Sequence, residues 1–329
     1  MRIKSAAWKI APDGTGHKYP HDVPMRLRLM RIVGKQTWIP RGQHWLLTRI
    51  WDPDSEKNFV FEVDFFGKRY QGDMAQYVDW KVFAYGCSTY CELALLRDLA
   101  AEMRRRRGGV AFFDIGANVG HHTLFMTSHA DEVIAFEPFG DIRRLIEQKL
   151  AMNGVNNVKL FPFALGEKTE VQTYYPGGAV NSGTGTFMPE EIGTYQQPVS
   201  VEVKRGDEIC EGSQLPRIDV MKVDVEGFEP LVFRGFADRL KRDRPVVMTE
   251  LTDRSRSGFG SEEGLRRMFW DGAEYVEVCG REGHGYTLRP FNYATAGEFL
   301  IVPPEWAAFV RARMHEPRRR AWRDRQRAA

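Results

Sequence analysis

One stretch narrows the choice of fold more than any other: Val110-Ala-Phe-Phe-Asp114-Ile-Gly116-Ala-Asn118-Val-Gly120. An apolar run this short, ending in a carboxylate, has the pattern of a strand buried on both faces of a parallel sheet. The glycines that follow let the backbone turn tightly and approach a ligand closely. A helix beginning after the turn leaves N–H groups with no partner inside the helix. Strand, glycine turn and helix in that order build the first crossover of an open α/β sheet. Ligands of nucleotide type sit at its carboxyl edge.

The alternation continues downstream. Residues 132–137, 158–163, 218–224 and 245–250 read as further strands, and residues 121–129 and 141–153 as helices. Such alternation predicts a Rossmann-like α/β fold, a parallel sheet with right-handed crossovers. Residues 291–302 are expected to supply late hairpin strands. The glycine-rich stretch 174–198 reads as a long loop near the ligand edge, either a cover for the site or an ordinary surface loop. Upstream, residues 59–66 and 69–71 flank Gly67-Lys68 as a β-hairpin. Residues 91–107 form a helix ending in a run of arginines and stopped by Gly108-Gly109. The chain thus divides into an accessory region, residues 1–107, an α/β domain, residues 108–305, and an arginine-rich tail, residues 306–329.

The turn also says something about the ligand. A dinucleotide fingerprint has the pattern G-x-G-x-x-G and cradles a pyrophosphate. Here the spacing is Gly116-x-x-x-Gly120, with Asn118 at the second glycine's place, and no Lys-Ser or Lys-Thr follows to make a P-loop. Asp114 would repel a phosphate but suits an ammonium or sulfonium group. The second strand ends in Ala135-Phe-Glu137-Pro138, an acid placed to accept both hydroxyls of a ribose. Nicotinamide enzymes use such an acid too, so Glu137 alone does not discriminate. Together the three features point to a nucleoside with a positively charged amino-acid tail, which is S-adenosyl-L-methionine.

These residues, with Asn153-Gly-Val-Asn-Asn-Val158, Ala164-Leu-Gly166 and Met221-Lys-Val-Asp-Val-Glu-Gly227, resemble the motifs of the FkbM-type methyltransferases in order and spacing, across residues 110–250. The resemblance implies a class I methyltransferase fold, with a mostly parallel seven-stranded sheet, helices on both faces and, here, an N-terminal α+β extension. It implies O-methylation of a hydroxyl on a sugar, glycan or small metabolite. It also implies that Asp114, Gly116, Ala117, Asn118, Gly120, Glu137 and Pro138 line the cofactor pocket, with Phe163 and Ala164 near the adenine.

The fourth strand carries acids where the methyl group should lie. In Lys222-Val-Asp224-Val-Glu226-Gly227, residues two apart face the same way on a strand, and Gly227 lets the chain turn off. Methyl transfer depends on positioning the acceptor in line, and an alcohol gains from a base within reach of its proton. Asp224 or Glu226 could be that base, or could hold a divalent metal that polarises the hydroxyl, and Glu250 could complete either arrangement. Metal dependence stays open. His121 and His122 are secondary candidates for a base. Tyr77, Trp80 and Tyr85 could wall the acceptor or simply pack.

Charge and cysteines limit the function classes. The net charge of +3 owes to Arg311, Arg313, Arg318, Arg319, Arg320, Arg323, Arg325 and Arg327, against Glu316 and Asp324. The rest of the chain is slightly acidic, which disfavours a nucleic-acid partner. Cys87, Cys91, Cys210 and Cys279 give neither a disulfide framework nor paired zinc knuckles. No stretch has the length of a membrane-spanning helix and no secretory leader is visible, so a cytoplasmic location is expected. Oligomeric state is open. Two other functions fit the same sheet: an NAD(P)-dependent oxidoreductase, opposed by Asn118 and by the lack of a downstream Tyr-x-x-x-Lys pair, and a non-catalytic binding module.

Overall fold

The computed structural model describes residues 23–36, 42–53, 59–176, 187, 197–280 and 285–314. The N-terminal part runs α1 (Met25–Gly34), α2 (Gln43–Ile50), β1 (Val60–Phe65), β2 (Lys68–Asp73), α3 (Tyr77–Tyr85) and α4 (Tyr90–Arg107). Then come β3 (Ala111–Ile115), α5 (His121–Met126), β4 (Glu132–Phe136), α6 (Gly140–Met152) and β5 (Val158–Phe161). A smaller unit follows: β6 (Ala164–Gly166), β7 (Glu170–Tyr174) and β8 (Val199–Arg205), leading into α7 (Gly206–Gly212). Next are β9 (Val220–Val223), α8 (Glu229–Gly235), α9 (Ala237–Asp243), β10 (Val246–Glu250), α10 (Asp253–Phe259) and α11 (Glu262–Arg266). The last elements are β11 (Glu274–Gly280), β12 (Tyr286–Pro290), β13 (Glu298–Val302) and α12 (Pro304–Met314).

The main sheet has eight strands in the order β12-β11-β13-β10-β9-β3-β4-β5. Strands β5, β4, β3, β9 and β10 are parallel, and β13 enters antiparallel beside β10. β11 pairs antiparallel with β13, and β12 pairs antiparallel with β11. The strand order reverses beside β3, so the glycine turn lies at the topological switch point where an open sheet leaves a crevice. This is the class I methyltransferase arrangement of seven strands, with β12 added at one edge. A separate sheet of order β6-β8-β7 has no counterpart in the sequence reading.

Alternation along each buried strand splits the apolar residues between two cores. Phe112, Val220, Val246 and Met248 face one core, which also takes in Trp80, Leu93, Leu96 and Leu99 from the N-terminal part. Phe113, Met221, Val223 and Val247 face the other, with Phe228, Val232 and Phe236. The N-terminal part therefore packs on one face of the sheet, together with α5 and α12. Trp80 and Tyr85 are buried in that core, so the expected choice between acceptor wall and packing falls, for these two, to packing.

The expected hairpin and helix form as read. Phe66 and Gly67 take φ of 53° and 79°, a turn of the kind that matches strand twist. Helix α4 stops where Gly108 adopts φ 83° and its N–H reaches the Arg104 carbonyl. Residues 306–314 of the expected tail belong to the helix α12, with Trp306 and Val310 buried in the first core; residues 315–329 lie outside the described residues. No helix among the described residues is long and apolar enough to cross a membrane.

A buried ionic network ties the N-terminal layer to the glycine turn. The Tyr70 hydroxyl donates to Asp79 Oδ1 at 2.6 Å, and the Asp73 N–H donates to Oδ2 at 2.9 Å. Lys149 Nζ, on α6, lies 3.9 Å from Asp79 Oδ1 and donates to the Val119 carbonyl at 2.8 Å. Burial pushes Asp79 up and Lys149 down, each toward its neutral form. The pair is thus costly by itself, and its role is to fix the carbonyl of Val119 inside the turn.

Candidate active site

A cleft opens at the carboxyl ends of β3, β4 and β9, with about 740 Å³ of atom-free space, part of it open solvent. Gly116, Asn118, Glu137, Pro138, Ala164, Asp224 and Glu226 line it, as expected from the sequence. Its other walls are Ile115, Phe136, Phe139, Ile142 and Leu165, with Tyr174, Phe187, Val225 and Phe228. Of the long loop between β7 and β8, only Phe187 and the residues next to the strands are described, and Phe187 reaches the cleft.

Gly116 shapes the floor. It sits at φ 81°, and a Cβ there would lie 2.0 Å from the Asp224 carbonyl oxygen. Only glycine lets the turn after β3 pass this close to the end of β9. Asn118, at φ 50°, continues the left-handed path. Its N–H donates to Glu137 Oε2 at 2.9 Å, and the Phe139 N–H donates to Oε1 at 2.9 Å. Each carboxylate oxygen so keeps a further lone pair. Burial pushes the Glu137 carboxyl up to about 7, against the pull of these two N–H groups.

Aromatic rings close the neighbouring wall. Tyr174 and Phe187 meet at 5.0 Å between ring centroids, Phe187 and Phe228 at 4.7 Å, and Phe139 and Tyr174 at 6.4 Å. These rings pack on one another, so a flat heterocycle would lie against the side of the cluster that faces the cleft.

Asp224 and Glu226 line the same cleft. Lys222 Nζ donates to Asp224 Oδ2 at 2.9 Å. Burial would raise the Asp224 carboxyl, but the Lys222 ammonium overrides it and holds the group below the usual carboxylate range. Burial likewise opposes the charge of Lys222, and Asp224, Asp114, Glu92 and Glu298 around it prevail, holding its pKa above that of an ordinary lysine. Glu226 has φ 55°, a strained backbone for this residue type, and Gly227 follows at φ 101°. Burial, with Asp224, Glu250 and Glu229 nearby, pushes the Glu226 carboxyl up to about 8. Its loop is held from below by Glu229, whose Oε1 accepts the Val225 and Gly227 N–H groups at 3.0 and 3.3 Å.

Other expected site residues are placed differently. Asp114 is fully buried beneath the turn and does not line the cleft. Thr123 Oγ1, on α5, donates to its Oδ2 at 2.6 Å. The cation beside it is the protein's own: Lys222 is its cross-strand neighbour in the β3–β9 register, on the same face of the sheet. Ala117 and Gly120 pack beneath the turn, Gly120 against Ile146. Phe163 stacks with Phe136 and Phe161 and lies under Lys204, one residue before the cleft-lining Ala164. Glu250 sits opposite Glu298 at the end of β10 and lies outside the cleft wall. Burial and then Asp224 raise its carboxyl. Of the two histidines, His121 accepts the Ser88 N–H at Nε2, 3.1 Å away, and burial holds it neutral. His122 Nε2 lies 3.0 Å from Glu92 Oε2.

Family comparison fits this geometry. Residues 114–293 match the methyltransferase FkbM domain. The chain belongs to the FkbM methyltransferase family. Among its relatives, the hexuronic acid methyltransferase AglP of Haloferax volcanii is 29% identical over 137 residues, covering 41% of this chain and 54% of that protein. The 2-O-methyltransferase NoeI of Sinorhizobium fredii is 26% identical over 154 residues, covering 43% of this chain and 62% of that protein. The match to each thus spans little more than half of the relative's length. A crystal structure of methyltransferase FkbM from Methylobacillus flagellatus aligns at a TM-score of 0.39 and 13% identity, over 59% of this chain and 43% of that one.

Within this FkbM-family chain the cleft fits S-adenosylmethionine on its own terms. Glu137 presents free lone pairs at the tip of the second parallel strand, the place of the ribose-binding acid. The missing Cβ of Gly116 leaves backbone at the floor, and the aromatic belt suits an adenine. A metal finds less support: among the described residues no three His, Cys, Asp or Glu side chains converge closely enough to hold one. The positive charge beside Asp224 is already supplied by Lys222.

Lys222, Glu229 and Glu92 were missed as site residues in the sequence. Lysine in the middle of the apolar run Val220–Val223 was the available signal, because a charge in a fully buried strand needs partners. Nothing local announces Glu229 or the aromatic belt.

Proposed function

We propose that this chain is an S-adenosylmethionine-dependent O-methyltransferase acting on a hydroxyl of a sugar, glycan or comparable small molecule. Glu137, Gly116, Asn118, Ala164 and the aromatic belt hold the cofactor, and Glu226 is the general base. The observation that carries the reading is one cleft lined both by Glu137 and by the Asp224–Glu226 pair. The names of the two relatives, one for hexuronic acid and one for 2-O methylation, support a sugar hydroxyl.

S-adenosylmethionine supplies a methyl group on a sulfonium sulfur. The acceptor oxygen takes that methyl group and gives its proton to the Glu226 carboxylate, which passes it to solvent. A carboxyl raised to about 8 is a far stronger base than an ordinary glutamate and still ionises near neutral pH. Asp224, tied to Lys222, stays ionised and keeps negative charge near the sulfonium. Glu229 and the strained backbone at Glu226 fix where the base points.

We further propose that the described residues of the 1–107 region form a layer of the same body as the domain at 108–305, because they share one core with it. The supply of the methyl donor and the free thiols of Cys210 and Cys279 support a cytoplasmic location.

The test is methyl transfer from radiolabelled S-adenosylmethionine to a panel of uronic acids, neutral sugars and small polyols. Glu226→Gln should lower kcat by about 10²–10⁴-fold while S-adenosylhomocysteine binds almost as before. Binding of NAD and not of S-adenosylhomocysteine would overturn the assignment.

A further inference from the structure

We infer that the outward face of α1 and α2 is a docking surface for an anionic lipid bilayer. This rests on a part of the molecule remote in function from the cleft and does not depend on the reading of the cofactor site.

Helix α1 is apolar on two opposite sides. Leu27, Met30 and Gly34 are buried, and Leu27 and Met30 belong to the core shared with the sheet. At ~100° per residue, Met25, Leu29 and Ile32 fall within roughly 60° of one another on the opposite side. They are 77%, 53% and 61% exposed. Trp45 and Leu46 on α2, which packs beside α1, are 62% and 41% exposed. Five large apolar side chains on two adjoining helices make a patch of the kind soluble surfaces avoid unless something covers it.

Charge identifies the cover. Residues 23–51 contain six Lys or Arg and no Asp or Glu. Arg26, Arg28 and Arg49 are exposed. On the helical projection Arg28 and Arg26 flank the apolar stripe of α1 on its two sides. The Arg49 guanidinium lies over the Trp45 ring at 5.2 Å, and Arg26 over Trp51 at 5.6 Å. Apolar side chains ringed by arginines, with a tryptophan among them, are the composition of a helix that lies in the interfacial layer of a membrane. On α1 and α2 themselves a phosphate-bearing lipid surface meets no carboxylate; the next acid along the chain is Asp52, exposed just beyond α2. The face is held rigid, since a Cβ on Gly34 would overlap the Ala84 carbonyl of α3.

The experiment is co-sedimentation of the full chain with vesicles of phosphatidylcholine alone or with added phosphatidylglycerol. The wild-type chain should sediment with the phosphatidylglycerol vesicles, less so at high salt, and hardly with phosphatidylcholine alone. A Leu29→Ser, Ile32→Ser, Trp45→Ser variant should lose at least about tenfold in binding. An Arg28→Glu, Arg49→Glu variant should lose a similar factor. S-adenosylhomocysteine affinity and melting temperature in both variants report that they fold. Three results overturn the proposal: no vesicle binding by the wild type, wild-type binding in both variants, or loss of binding only when Arg318, Arg319, Arg320, Arg323, Arg325 and Arg327 become Gln. A dimer that forms without lipid and dissociates in the Ser variant, with no vesicle binding, overturns it in favour of a second copy of the chain.

Discussion

Acid should loosen the grip on the cofactor by an amount that one carboxyl decides. Glu137 is buried at the tip of β4, and its carboxyl titrates at about 7. Its task is to accept two ribose hydroxyls, which the anion does best. The sign follows from the direction of the shift: an acid raised in the folded state is protonated below about 7, so binding strengthens as pH rises through that value. The ionised fraction is about one in eleven at pH ~6 and about ten in eleven at pH ~8, so the apparent Kd for S-adenosylhomocysteine should fall by up to about tenfold, ~1.4 kcal/mol. Glu137→Gln keeps the size and one carbonyl acceptor but cannot ionise, and its NH2 faces one of the two N–H donors from Asn118 and Phe139. A hydrogen bond to a charged group contributes about 1.5–3 kcal/mol, so losing one predicts a Kd about 10–100-fold higher at pH ~8. Titration calorimetry across that pH interval at constant ionic strength measures both effects. If the variant keeps the wild-type slope, the titrating group is not Glu137. If its Kd at pH ~8 equals that of the wild type, the ribose does not rest there.

Three further outcomes are expected. Lys222→Met leaves Asp224 without its 2.9 Å partner and removes the ammonium among Asp114, Glu92 and Glu298; chemical denaturation should show a loss of about 3–5 kcal/mol. Glu229→Gln should become progressively more stable than the wild type as pH rises. Burial lifts the Glu229 carboxyl to about 7, so the wild type's advantage as a neutral acid is full below the unfolded pKa and gone above about 7, whereas Gln never ionises. The gap in melting curves should approach about 3 kcal/mol at alkaline pH, the shift from 4.5 to about 7 at ~1.36 kcal/mol per unit. The kcat of the wild type should climb through pH ~8 as Glu226 ionises, and Glu226→Gln should lack that limb.

Much of the α/β core was legible because it is written locally. The runs Ala111–Ile115, Glu132–Phe136 and Val246–Glu250 are apolar in most positions, as a strand covered on both faces requires. Gly108 and Gly116 announce their turns by residue type alone. Strand β11 was not read, because Glu274–Gly280 alternates with glutamates and lies upstream of the expected hairpin. Strand β7 was missed for a similar reason: its residues are exposed or half-buried, and it depends on pairing with a distant β8.

The site divides in the same way. Glu137, Gly116 and Asn118 were found because strand tip and turn are neighbours in sequence. Asp114 was found as a position, but its surroundings were not, since Lys222 reaches it only through the register of β3 against β9. Glu92 and Lys149, held from α4 and α6, show the same limit: a buried charge is recognisable once its partner is known, and the partner lies far along the chain.

The most direct trial of the account is a crystal structure of the protein soaked with S-adenosylhomocysteine. The ribose hydroxyls should lie on the two oxygens of Glu137, with the adenine among Phe139, Tyr174 and Phe187 and the sulfur directed toward Asp224 and Glu226. Ligand bound elsewhere, or a cleft that admits a diphosphate in its place, would contradict it.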